Sequence, residues 1–289
     1  MFDAKKHQLR LTRALGRFDQ GNDFLLHHGA EDMVERLSAV NLDFDTTATL
    51  FCRTDSVVDL FRRSSQIGTL IRVEEPLHTG MAHRTASPDL LGLETQSVDL
   101  IVAPLTLHWS ADLPGSLIQI MRSLRPNGLM LASLPGPDTL VELRQSLLQA
   151  EAEVSGGAAN RIDPFTDIRD AGALLQRAGF ALPVVDQETI TVRYDTALDL
   201  IRDLRRFGAT SHWNNEKTNP PLTRAVVQRM VEIYAERFSD ADGRIRASFS
   251  LVSLSGWSPH DSQQKPLKPG SAKTRLADAL KVEEVKLKP

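Results

Sequence analysis

The segment Val98-Asp99-Leu100-Ile101-Val102-Ala103-Pro104 decides the fold class. Asp99 is its one charged residue, and an apolar run of this length is typical of a strand that is covered on both faces. Strands of that kind occur in parallel sheets, where a helix connects each strand to the next. The segment therefore predicts an α/β protein in which strand and helix patterns alternate before and after it.

Both patterns occur along the chain. Six further short runs predict strands: Ala48–Cys52, Gly68–Val73, Met81–Thr85, Leu129–Leu134, Val184–Tyr194 and Ile245–Leu254. Helices are predicted over 1–40, 56–63, 113–124, 139–152, 167–178 and 195–240. We expect an α/β fold with a seven-stranded, mostly parallel sheet, helices on both faces and a helical insertion, 195–240, before the last strand.

Local signals set the expected ends of several helices. Arg125-Pro126-Asn127-Gly128 predicts a helix stop and a turn before the fifth strand. Thr139 and Glu142 have the spacing of a capping box that opens the next helix. Thr166 is the expected cap of the helix after that.

The composition indicates a globular protein in three parts. Hydrophobic residues make up 41% of the 289 residues and charged residues 25%, which is enough to bury a sizeable core. We expect an N-terminal helical segment, 1–40, a main domain, 41–257, and a polar tail, 258–289. A net charge of -3 does not favour nucleic acid as a partner.

Cysteine usage and hydropathy predict the compartment. Cys52 is the one cysteine, so neither an internal disulfide nor a cysteine-based metal site is expected. Residues 1–17 lack the apolar stretch of a secretory signal. No apolar run approaches the roughly 20 residues that span a bilayer. These features predict a cytoplasmic protein without an integral membrane segment.

Two groups of motifs resemble known families. Leu105–Trp109, with 112–114 and 124–128, resembles the class I S-adenosylmethionine-dependent methyltransferases, including the malonyl-acyl carrier protein O-methyltransferase of biotin synthesis. The stretches 138–144 and 256–266 resemble one subgroup, that of the mitochondrial complex I assembly factor with a methyltransferase fold and its α-proteobacterial relatives. This resemblance implies a bacterial protein with S-adenosylmethionine as cofactor and a protein client, such as a complex I subunit.

The cofactor turn departs from the family pattern. Aspartate, leucine and three alternating glycines are usual there, whereas this chain reads Thr49-Leu50-Phe51-Cys52-Arg53-Thr54-Asp55. The glycine positions hold Phe51, Arg53 and Asp55. Glycine permits a positive φ and a close approach of the backbone to the ligand, so these side chains predict weaker cofactor binding. An alternative is that Arg53 recruits a different anion.

The resemblance also supplies candidate site residues. Those expected at the cofactor are Leu50, Phe51, Cys52, Arg53, Glu74, Glu75, Asp89 and Leu105. Glu74, or Glu75 in a shifted register, would accept hydrogen bonds from the ribose hydroxyls. Candidates for substrate contact are Trp109, Asp138, Arg144, Trp257 and His260, and His108 and Asp138 are candidates for catalysis. Each has an ordinary alternative, as a solvated loop charge, a half-buried aromatic pair or an anchor for the tail.

Three functions stay open at this point. The first is transfer of a methyl group to a protein or carrier-bound substrate, which depends on positioning donor and acceptor. The second is non-catalytic assembly of complex I. The third is hydroxylation of a client arginine, as the mitochondrial member of the subgroup is understood to perform.

Overall fold

The computed structural model describes residues 3–15, 23–76, 83–157, 159–211, 221–264 and 271. The chain divides into one unit over Met1–Pro259 and a second over His260–Pro289. The second unit contains most of the predicted polar tail, and only 260–264 and 271 of it are described.

Within the described residues, seven strands form one sheet. They are β1 (Phe44–Leu50), β2 (Ile67–Glu74), β3 (Arg84–Thr85), β4 (Val98–Ala103), β5 (Leu124–Pro135), β6 (Ala181–Tyr194) and β7 (Ile245–Trp257). The order is β3-β2-β1-β4-β5-β7-β6, with β7 antiparallel to both of its neighbours. The predicted seven-stranded, mostly parallel sheet is confirmed. Residues 81 and 82 of the predicted third strand lie outside the described residues.

Helices cover both faces of this sheet, as predicted. Their bounds are α1 (Ala4–Leu15), α2 (Phe24–Ser38), α3 (Asp55–Arg62), α4 (Leu113–Ser123), α5 (Val141–Ser155), α6 (Ile168–Ala178), α7 (Ala197–Arg206) and α8 (Arg224–Phe238). Leu100 packs in one core with α2 and α3, and its neighbour Ile101 packs in another with α4 and α6. Because successive strand residues point to opposite faces, the apolar run of β4 supplies both cores.

The helical insertion has a core of its own. Leu200 of α7, Met230 and Tyr234 of α8, and Phe249 of β7 are buried together with the inner side of α5. The Tyr234 hydroxyl donates a hydrogen bond of 2.9 Å to the Arg246 carbonyl oxygen. The insertion is therefore packed against α5 and the start of β7.

Helix α4 ends at Ser123, just before Arg125-Pro126-Asn127-Gly128, but this stretch is not the predicted turn before the fifth strand. It lies inside β5, where the register with β4 shifts between the pairs Val98–Leu124 and Leu100–Leu129. The four residues form a bulge, with Asn127 at a φ of 65°. The Asn127 N–H donates to the Ser258 carbonyl oxygen, so contacts distant in sequence hold this turn within the strand.

The predicted capping box is wrong. Leu140, at a φ of 56°, is the residue before α5, and it makes no side-chain cap. The Thr139 hydroxyl and the Glu142 carboxylate instead bond to Ser250 and Ser248 of β7, at 2.9 Å and 2.5 Å. These two side chains therefore bond to β7 in place of the backbone N–H groups at the start of α5. Asp167, rather than Thr166, caps α6 by accepting from two backbone N–H groups.

Candidate functional site

Three sequence-predicted residues meet where β1 and β2 end. The Phe51 N–H donates to the Val73 carbonyl oxygen at 2.8 Å. The Arg53 N–H lies 3.2 Å and 3.3 Å from the two carboxylate oxygens of Glu74. Because β1 and β2 are parallel, their carboxyl ends form one edge, the usual location of ligand sites in such sheets.

The backbone of the cofactor turn has the conformation that glycine favours. Phe51 has a φ of 53° and Arg53 a φ of 62°, both in the left-handed region. Non-glycine residues adopt this region at an energetic cost. The turn therefore keeps the path expected for glycines at these two positions, while the Phe51 side chain is buried in the core below it.

Glu74 forms a closed ion-pair network with Arg72. The Arg72 Nε donates to the Glu74 carboxylate at 2.8 Å, and its Nη1 donates to Asp55. Arg72 is 1% exposed and Glu74 0%. Burial raises the pKa of Glu74, and the hydrogen bond and charge of Arg72 offset this only in part. Glu74 thus bonds to the protein itself.

Glu75 is engaged by the first helix. The His7 Nε2 lies 3.0 Å from a Glu75 carboxylate oxygen, and both side chains are buried. The His7 ring centroid lies 5.1 Å from that of Trp109. Helix α1 therefore packs against the edge where the ends of β2 and the segment after β4 come together.

Arg53 is the central cation of this edge. Its Nη1 donates to the Phe207 carbonyl oxygen at 3.2 Å, and its guanidinium carbon lies 5.6 Å from the Trp109 ring centroid. Its Nε is buried without a hydrogen-bond partner. Burial lowers the pKa of Arg53, and the nearby charges of Glu75 and Glu74 oppose that effect.

The remaining predicted cofactor residues have structural partners. Leu50 and Cys52 are fully buried, and burial raises the pKa of the Cys52 thiol well above its usual value. Asp89 accepts a 2.7 Å hydrogen bond from the Ala111 N–H and thereby orders the loop before α4. The Leu105 N–H donates to the Ser133 carbonyl oxygen at 3.1 Å.

These side chains do not fit S-adenosylmethionine. A carboxylate that binds the ribose hydroxyls needs accessible oxygens, and those of Glu74 are buried against Arg72 and the Arg53 N–H. Substituting ribose contacts for this network would leave the Arg72 charge buried without its main partner, which is costly. The Arg53 side chain also lies beside the turn that glycines would leave open.

A cavity of about 720 Å³ lies next to Arg53. Its walls are predominantly apolar, and α5, α7, α8 and β7 contribute Leu143, Leu147, Ile201, Val227, Phe249 and Leu251 to them. The lining also includes Leu105, His108 and Trp109. Cavities of this size and character are typical of sites for small apolar molecules.

The other substrate and catalysis candidates lie apart from this lining. Asp138 is exposed and accepts from Gln187 at 3.3 Å, and Arg144 donates to the Pro137 and Thr139 carbonyl oxygens. Trp257, at the end of β7, packs against the core of α2 and α3. His260 belongs to the second unit, where its Nδ1 lies 2.7 Å from the Ser262 hydroxyl. Roles for these residues stay predictions.

Two features of the described residues bear on cofactors and location. No group of three or more histidine, cysteine, aspartate or glutamate side chains there could hold a metal ion. None of the described helices has the length and apolar character needed to cross a membrane.

Sequence reasoning missed His7 and Arg72. Arg72 had a detectable signal, since it lies two residues before Glu74 on a strand and therefore shares its face. A charged residue on the buried face of a strand calls for an opposite charge beside it. Nothing local in α1 indicates that His7 reaches Glu75, because that contact joins residues 68 positions apart.

Known proteins with similar sequences and structures include methyltransferases. A sequence profile of the methyltransferase domain matches residues 57–132, from α3 to β5. This part of the chain is therefore similar to that domain family. The YcgJ protein from Bacillus subtilis has the same fold: its structure aligns with a TM-score of 0.52 at 11% identity and covers 81% of this chain and 99% of that one. The predicted class I methyltransferase fold is confirmed.

Relatives of the chain fall in the two predicted groups. Arginine-hydroxylase NDUFAF5, mitochondrial, of Dictyostelium discoideum is 43% identical over 190 residues, which are 65% of this chain and 43% of that protein. Malonyl-[acyl-carrier protein] O-methyltransferase of Xylella fastidiosa is 36% identical over 163 residues, 56% of this chain and 52% of that one. The chain thus spans about half the length of these two relatives.

Proposed function

We propose that this protein binds a protein client during assembly of respiratory complex I, without using S-adenosylmethionine. The observation that carries the proposal is the Glu74–Arg72 pair, whose buried hydrogen bond of 2.8 Å takes up the carboxylate that the cofactor ribose would need. A fold that keeps its cleft but fills its cofactor edge with its own side chains is suited to binding.

The client assignment has two supports. The subgroup motifs at 138–144 and 256–266 resemble the complex I assembly factor, and relatives named NDUFAF5 are 36–43% identical over the shared region. The large apolar cleft offers a surface on which a client could dock. We therefore propose a complex I subunit as the client. The proposed location is the bacterial cytoplasm, as cysteine usage and hydropathy predict.

Methyl transfer is the second candidate. It is favoured by the methyltransferase-domain match and by the left-handed backbone at Phe51 and Arg53. It requires Arg53 and Arg72 to release Glu74 to the ribose. Arginine hydroxylation has its support in the printed names of the relatives, and mass spectrometry of client arginines with and without this protein tests it.

Complementation of a bacterial deletion strain tests the proposed function. We expect the double variant Arg72→Met/Glu74→Leu to restore NADH:quinone oxidoreductase activity of the membranes as well as the wild type does, because no ribose contact is needed. We expect Leu222→Glu, which places a charge at the cleft lining, to fail. Leu198→Glu is the matched control, since Leu198 is 47% exposed, Leu222 is 44% exposed, and Leu198 lies outside the lining.

Protein levels measured in each strain separate loss of function from loss of folding. A folded Arg72→Met/Glu74→Leu protein that restores no activity would contradict a cofactor-independent role. Equal activity of Leu222→Glu and Leu198→Glu would contradict client binding at the cleft.

A further inference from the structure

Arg53 carries a partly buried positive charge that no carboxylate of the described residues neutralises directly. Among the described residues, no aspartate or glutamate oxygen lies within ion-pair distance of its guanidinium group, whose one hydrogen bond goes to the Phe207 carbonyl oxygen. Its two acidic neighbours pair with other residues: Glu74 pairs with Arg72, and Glu75 pairs with His7. A partly buried guanidinium with an unsatisfied Nε is an unfilled site for an anion.

The other charged groups of the cavity leave this positive character in place. Arg161 pairs with Glu151 at 2.5 Å. Asp163, which accepts a hydrogen bond from the Ser211 hydroxyl, is the one carboxylate among the described lining residues, against three arginines. Arg205, which also lines the cavity, adds a further cation on its exposed side. The charge of the lining therefore complements an anion and disfavours a cation.

The remainder of the cavity is suited to a hydrocarbon chain. Leu143 and Leu147 of α5, Ile201 of α7 and Val227 of α8 line it together with Phe249 and Leu251 of β7. A long apolar chain in this space would remove these side chains and itself from water. The volume of about 720 Å³ lies within the range of sites that enclose small ligands.

We propose that this cavity binds a long-chain carboxylate, with the carboxylate at Arg53 and the chain between α5, α8 and β7. The ligand would occupy the same cleft as the proposed client, and its binding needs neither a client nor S-adenosylmethionine. The carboxylate supplies the direct ionic partner that Arg53 lacks within the chain.

The test is titration of the delipidated full-length protein with sodium dodecanoate, followed by calorimetry. We expect saturable binding of one dodecanoate per chain, and binding weakened by about 10- to 100-fold in Arg53→Gln, which loses a charge-assisted hydrogen bond. Arg202→Gln is the matched control: it removes an exposed arginine of α7 outside the lining and should bind like the wild type. Thermal unfolding of each variant checks its folding.

Ligands with other head groups and chain lengths test whether Arg53 binds a carboxylate and whether the cavity holds the chain. Dodecan-1-ol and dodecyltrimethylammonium should bind more weakly than dodecanoate, and their binding should not weaken in Arg53→Gln. A Val227→Trp variant, which fills the cavity and leaves Arg53 intact, should favour octanoate over dodecanoate. The proposal is overturned by absence of saturable dodecanoate binding, by equal affinity in folded Arg53→Gln, or by tighter binding of dodecyl phosphate, which would point to a phosphate headgroup.

Discussion

Replacement of Arg72 by methionine should lower the free energy of unfolding by about 3–5 kcal/mol, because it leaves the Glu74 carboxylate buried without its partner. Glu74 has no exposed surface, and its remaining hydrogen-bond donor is the Arg53 N–H at 3.2 Å. Methionine keeps much of the arginine volume, so the loss reports on charge rather than on a cavity. Equilibrium unfolding in urea measures it.

The double variant Arg72→Met/Glu74→Leu is the control for this prediction. It removes both buried charges, so we expect it to recover most of the stability lost in Arg72→Met. Asp55→Asn, which weakens only the exposed side of the network, should change stability little. A loss below about 1 kcal/mol in Arg72→Met would mean that water already reaches Glu74, as in a cofactor-ready site.

Leu200→Ala should destabilise the protein by about 2–5 kcal/mol, the usual cost of this change at a fully buried position. Leu200 is 0% exposed in the core that joins α7 to α5, α8 and β7. Leu198→Ala, on the same helix at 47% exposure, should stay within about 0.5 kcal/mol of the wild type. Urea unfolding of the two variants compares them directly.

The comparison of Leu200→Ala with Leu198→Ala tests whether α7 unfolds together with the sheet. The predicted difference requires α7 to be part of the cooperative fold. If Leu200→Ala and Leu198→Ala unfold alike, then α7 opens separately from the sheet and the cleft wall it supplies is not fixed.

The sheet could be predicted from sequence because its signals are local. The apolar residues of β4 pack in two cores, one on each face of the sheet. The sequence shows this directly, because residues 98–104 contain one charged residue and are otherwise apolar. Two local signals were misleading for the same physical reason. The bulge at 125–128 and the bonds of Thr139 and Glu142 to β7 depend on partners more than 100 residues away.

The candidate site could likewise be predicted only in part from the sequence. The resemblance placed Phe51, Arg53 and Glu74 at one edge, and the structure brings them together. It did not indicate that Arg72 would bond to Glu74 or that His7 would reach Glu75. A family motif indicates which positions bind the cofactor. It does not indicate which other side chains occupy the site in this chain, because those side chains are brought there by the packing of α1 and β2.

Titration of the full-length protein with S-adenosylmethionine tests the central claim, that this edge is filled by the chain's own ion pairs. We predict no heat of binding and no shift in the unfolding temperature at about 1 mM ligand, a concentration that detects even weak affinity. S-adenosylhomocysteine should give the same result. Saturable binding that disappears in Arg72→Met/Glu74→Leu would contradict the account, because it would show Glu74 serving the cofactor.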